Sequence, residues 1–144
     1  MENQKKSKGM HIALWVAQGL LAAMFLMAGF GKAFQPIPEL AKMLPWVTSM
    51  SPGLVRFIGT SELLGAFGLL LPSLLRIQPK LTSLAALGLV IVQVLAAGFH
   101  VMQGEASVIG MNFMLMAIGA FIAWGRFSKV PITPKSQGHA LAGA

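Results

Sequence analysis

Six polar side chains interrupt a largely apolar sequence: Lys32, Arg56, Glu62, His100, Glu105 and Asn112. Glutamate and histidine can take and give protons, while lysine and arginine can stabilise developing negative charge. Spacing groups them. Gln93 and His100 are seven residues apart, as are Glu105 and Asn112, and Gln18 and Lys32 are fourteen apart. Seven residues are nearly two helical turns, so each pair shares a helix face. Glu62 lies six residues beyond Arg56, ~9 Å along a helix axis and about 120° around it. A partner on another helix is therefore expected for Glu62, with Lys32, His100 and Asn112 as the choices. Gly59 and Gly65 share the Glu62 face, and with Gly88 they are the expected positions of close helix packing.

Each of these residues also has a purely structural role open to it. Lys32 and Arg56 can snorkel to headgroups. Glu105 and His100 can complement helix dipoles. Asn112, Gln18 and Gln93 can join helices. The set as a whole points to a water-accessible or hydrogen-bonded pocket, with a buried salt-bridge network as its rival.

Other chemistries lack their residues. The chain has no cysteine, which excludes disulfides, thiolate metal sites and iron–sulfur clusters. It has no aspartate, so no Ser-His-Asp triad exists. Gly29-Phe30-Gly31 lacks the rest of either phosphate-binding motif. No second membrane histidine is present for haem, and no metal-ligand spacing stands out. The ten methionines include Met111 and Met114, which read as lipid-facing filler rather than copper ligands.

The elements that must position these residues are set by composition. Of 144 residues, 56% are hydrophobic and 10% charged, against about 45–50% and about 25% in soluble domains. The reading is a one-domain polytopic membrane protein. Ile12–Phe30 is nineteen residues with one polar member, Gln18, and covers roughly 28 Å of a core about 30 Å thick. It is too long for a signal-peptide core and lacks a clean cleavage site, so it reads as an uncleaved first helix. The expectation is an all-α four-transmembrane-helix bundle with helices at about 12–31, 52–71, 81–102 and 106–125. Residues 1–11 form a basic N-tail and 128–144 a disordered tail. Pro72 is expected to end the second helix. The loop between Lys32 and Ser51 can hold a short interfacial helix over Glu39–Trp46, with Trp46 at headgroup level.

Charge sets the orientation. One side carries Lys5, Lys6, Lys8, Arg76, Lys80, Arg126, Lys129 and Lys135, eight basic residues; the other carries Lys32, Lys42 and Arg56, three. The positive-inside rule places both termini in the cytoplasm. The net charge of +7 is thus a topology signal, and no nucleic-acid partner is expected. Lys32, Arg56, Glu62, His100, Glu105 and Asn112 then fall in the outer half of the membrane, and the cytoplasmic half contributes no polar group of comparable depth.

The sequence resembles the DoxX family, most closely its DoxX-like branch. The matching stretches are Met27–Lys32, Arg56–Gly65, Leu69–Pro72, Leu81–Leu89, His100 with Gly104-Glu105, Asn112 and Ala123–Arg126. The resemblance implies a multi-pass protein of the bacterial inner membrane. Its namesakes look like small subunits of a thiosulfate:quinone oxidoreductase. Other relatives are implicated in oxidative-stress membrane complexes or membrane-protein assembly. Thiol chemistry known among redox relatives does not carry over to a chain without cysteine. The leading expectation is a small subunit of a membrane redox or stress-response complex, with quinone as a candidate ligand of the polar pocket. The alternatives are a non-catalytic scaffold or assembly factor and a small proton-coupled exporter. Lipid, a membrane-protein partner and a second copy of the chain are the partners considered.

Overall fold

A computed structural model describes residues 1–135, and the remainder of the expected disordered tail, with His139, lies outside the described residues. The elements are α1 (Glu2–Phe34), α2 (Ile37–Met43), a 3-10 turn (Pro45–Ser49), α3 (Pro52–Leu75), α4 (Lys80–Met102), α5 (Ala106–Trp124) and a π turn (Gly125–Lys129). Glu2–Phe34, Pro52–Leu75, Lys80–Met102 and Ala106–Lys129 are each long and apolar enough to cross a membrane. Only 22–33% of their most apolar windows is buried inside the protein. Most of that apolar surface therefore faces outward and needs lipid as its solvent. The protein is an all-α, four-helix membrane bundle.

The helix ends follow local chemistry. Ser51 caps α3, its hydroxyl accepting from the Leu54 amide at 3.3 Å, and Pro52 occupies the first turn. Prolines also start α2 and the 3-10 turn, where the missing N–H would be unpaired anyway. Two boundaries differ from the sequence expectation. α1 begins at Glu2, because the basic N-tail continues the helix and gains a Glu2–Lys6 pair at 2.9 Å. α3 runs through Pro72 to Leu75. Proline removes one backbone bond, and neighbouring helices make that tolerable in a membrane. The actual stop is Arg76, whose φ of 56° is left-handed.

α1 packs chiefly on α3, α3 on α4 and α4 on α5, and a thinner α1–α5 contact closes the ring. Leu21, Ala22, Phe25, Ala66, Leu69, Ala86, Leu89 and Ile122 form the central core. A second, small core of Leu40, Val47 and Val55 seats α2 and the 3-10 turn on the start of α3. The four spans run alternately up and down. The beginning of α1 and the π turn thus share one end, the termini end, and the α1–α3 and α4–α5 connections share the far end.

Gly29 and Gly59 mark the tightest crossing. A Cβ on Gly59 would lie 2.5 Å from the Ala33 amide nitrogen and 2.8 Å from the Gly29 carbonyl oxygen. On Gly65 it would meet Leu89 at 2.5 Å. Gly88, also expected at a packing position, has nothing within 4 Å of its would-be Cβ.

Candidate functional site

The far end gathers five of the six residues singled out by sequence into two paired groups. In the first, the buried Lys32 ammonium reaches both oxygens of the buried Glu62 carboxylate at 2.7 Å. The Gly29–Gly59 crossing brings α1 and α3 close enough for this contact. Arg56 does not join the carboxylate. Its Nη1 donates to the Lys32 carbonyl at 2.8 Å, satisfying an orphan acceptor at the end of α1. Glu62 thus pairs directly with one cation, Lys32, while the second, Arg56, caps the end of α1.

In the second group, His100 Nδ1 and Glu105 Oε2 are 2.6 Å apart. The tight turn between α4 and α5 holds them, with Gly104 at φ 73° and the Glu105 amide donating to the His100 carbonyl at 2.9 Å. Opposite an ionised carboxylate, which only accepts, Nδ1 is the donor of this contact, and Nε2, with no hydrogen bond among the described residues, is the nitrogen left for other chemistry.

Trp46 links the groups. Its ring lies 5.9 Å from the Lys32 ammonium and 6.1 Å, edge to face, from the His100 ring, with Phe99 at 6.0 Å. The sequence pattern puts Trp46 at headgroup level. The 3-10 turn, held by Val47 in its small core, folds it over the polar residues. A tryptophan one residue beyond a loop proline carries no signal for that contact.

Asn112 stands apart. Its amide donates to Gln93 Oε1 at 2.7 Å, both side chains being buried between α4 and α5. The bond is local to two helices, like other interhelical amide pairs. Asn112→Leu should lower stability by about 0.5–1.5 kcal/mol. Unfolding with increasing SDS in mixed micelles measures this, and no shift in midpoint would exclude a stabilising bond.

The termini end holds what the sequence pattern does not suggest, a second buried polar network. Arg126, assigned by sequence only as a topology charge, is 4% exposed. Its Nε donates to Gln18 Oε1 at 2.6 Å, and Gln18 Nε2 donates to the Leu69 carbonyl at 2.6 Å. Arg126 Nη1 reaches His11 Nδ1 at 3.0 Å and the Val130 carbonyl at 3.3 Å. The Trp15 ring lies 5.1 Å from its guanidinium, and Trp15 Nε1 points at His11 Nε2 at 3.1 Å. Both partners of His11 are donors, and a neutral imidazole has one lone pair. His11 therefore accepts from one of them at a time. The expectation that this half lacks deep polar groups is corrected. The π turn and Gly125, whose would-be Cβ lies 2.5 Å from Leu14, turn Arg126 inward instead of letting it snorkel. The signal for it in the sequence is the 11, 15, 18 spacing of His11, Trp15 and Gln18 on one face of α1.

No curated protein and no solved structure matches the chain. The model of the DoxX-like family matches residues 16–122, from within α1 to near the end of α5. The chain belongs to the DoxX-like family.

Proposed function

We propose that this protein is a small subunit or accessory of a quinone-linked or stress-response complex in the bacterial inner membrane, with both termini cytoplasmic. Its far-end polar cluster is the ligand site in this reading. The observation that carries the proposal is the placement of Trp46 between two acid–base pairs, Lys32–Glu62 and His100–Glu105. Aromatic rings beside a histidine with a free Nε2 suit a flat, carbonyl-bearing headgroup. Trp46 and Phe99 would pack against it. His100 would exchange a proton at Nε2, backed by Glu105. Lys32 and Arg56 would offset negative charge. A quinone would supply the electron-accepting carbonyls, and its two electrons would come from a redox partner subunit of the complex.

The test uses membranes containing the wild type, Glu62→Gln or His100→Ala, assayed for reduction of a soluble quinone analogue. Loss of a proton-transferring histidine should lower the rate at least about tenfold. Unchanged quinone-linked activity in both variants would sink the proposal.

A scaffold or assembly role is the second reading, favoured by the closure of the Lys32–Glu62 pair on itself. It expects Glu62 variants to lower protein level and melting temperature together, with no separate loss of ligand binding. It also expects a stoichiometric membrane-protein partner on purification.

A further inference from the structure

The termini end carries a cavity of about 330 Å³ lined by Arg76, Ile77, Gln78, Pro134 and Lys135. Its walls are set by backbone contacts. Arg76 Nε donates to the Thr133 carbonyl at 2.8 Å, and the Lys135 amide donates to the Arg76 carbonyl at 3.0 Å. Arg126 Nη1 holds the near end of the same segment through the Val130 carbonyl. Residues 130–135 are thus strapped across the α3–α4 connection by two arginines. That connection is itself strained, with Arg76 at φ 56° and Gln78 at φ 46°. Left-handed backbone at two residues with side chains persists only where the surroundings impose it.

The cavity is lined by two cationic side chains and by no acidic side chain among the described residues. The sequence holds four acidic side chains, and all are engaged elsewhere: Glu2 with Lys6, Glu39 with Lys42, Glu62 with Lys32 and Glu105 with His100. Arg76 spends one donor on Thr133, and its two terminal nitrogens bind no acceptor among the described residues. At the other end of the strap Arg126 is 4% exposed, and its Nη2 has no partner among the described residues. That buried, uncompensated charge raises the positive potential over the strap. The N-terminus of α4 follows Gln78 and Pro79 without a side-chain cap; its Leu81 and Thr82 amides already donate to the Gln78 and Pro79 carbonyls, so it adds only the positive end of the helix dipole.

A guanidinium edge with parallel N–H groups, beside a flexible ammonium, matches the several oxygens of a phosphate. The ends of two spanning helices lie at the depth of lipid headgroups. We infer that Arg76 and Lys135 hold the phosphate of an anionic phospholipid headgroup in the cavity under the 130–135 strap. This site lies at the opposite end of the bundle from the proposed quinone site and does not depend on it.

The test titrates the purified full chain, in a zwitterionic detergent, with short-chain phosphatidylglycerol, short-chain phosphatidylcholine and inorganic phosphate. Native mass spectrometry counts bound molecules. Wild type should retain phosphatidylglycerol in preference to phosphatidylcholine. Arg76→Gln with Lys135→Gln should weaken that binding about tenfold. Lys5→Gln with Lys8→Gln removes the same charge from the same end and should leave it unchanged. Lys135→Gln alone keeps the Arg76–Thr133 bond and should give about a threefold loss even if the double variant folds poorly. Equal losses in the two charge-matched double variants would overturn the site in favour of diffuse attraction. Unchanged binding without Arg76 and Lys135 would overturn it outright. Inorganic phosphate bound as tightly as the lipid would overturn the headgroup assignment.

Discussion

Glu62→Ala is expected to destabilise the bundle by about 3–5 kcal/mol, because it leaves a buried ammonium without its counter-charge. Lys32 is 8% and Glu62 2% exposed, and both carboxylate oxygens lie 2.7 Å from Nζ. Lys32 has little freedom to escape. Trp46 packs beside its head, and Arg56 is bonded to its own carbonyl. Glu62→Gln should cost less, since the amide oxygen still accepts a hydrogen bond from Nζ. Lys32→Met combined with Glu62→Met should recover most of the loss, because removing both charges also removes both desolvation costs. SDS-driven unfolding in mixed micelles reads all three. A Glu62→Ala protein with the wild-type midpoint would show that the pair contributes nothing to stability. A double variant that is stable yet inactive with quinone would separate the structural part of the pair from its ligand role.

Gly59→Leu is expected to cost about 3 kcal/mol or more, the high end for over-packing a tight contact. Its Cβ alone would sit 2.5 Å from the Ala33 amide nitrogen, 2.7 Å from Lys32 Cβ and 2.8 Å from the Gly29 carbonyl. Two of these are backbone atoms, which cannot swing aside as a side-chain tip can. The helices must separate, and that separation also stretches the Lys32–Glu62 contact and the Arg56 bond to the Lys32 carbonyl. Intrinsic propensity works the other way, since replacing a helical glycine gains roughly 0.5–1 kcal/mol. The clash outweighs that gain. Gly88→Leu is the control. Nothing lies within 4 Å of that site, so the propensity gain stands alone and stability should hold or rise. Equal midpoints for the two variants would contradict the close α1–α3 crossing.

The four spans were legible because partition into lipid depends on composition averaged over some twenty residues, and neighbours hardly alter it. Loop helices were partly legible: a short helix was expected over Glu39–Trp46, and the chain forms α2 and a 3-10 turn there. Pro72 misled, because a breaker rule drawn from helices in water overstates what one missing bond costs between packed helices. In the candidate site, residue types and depth were readable, but partners were not. Lys32, His100 and Asn112 were equal choices for Glu62, and only the rotation of α1 against α3 selects Lys32. The Arg126 network stayed hidden for a related reason. An arginine at a helix end reads as a charge facing water unless a π turn, invisible to a sequence pattern, redirects it.

The amino-acid sequence by itself determined the solvent, the number of crossings, the DoxX-like resemblance and the far-end placement of Lys32, Glu62, His100 and Glu105. These follow from hydropathy and spacing along one chain segment at a time. Tertiary structure alone decided that Lys32 closes on Glu62, that Arg56 caps α1, that Trp46 bridges the two pairs and that Pro134 and Lys135 meet the α3–α4 connection at a cationic cavity. Each of these depends on how helices rotate and approach one another. That geometry arises from summed packing between distant segments, where one glycine contact can set an entire interface.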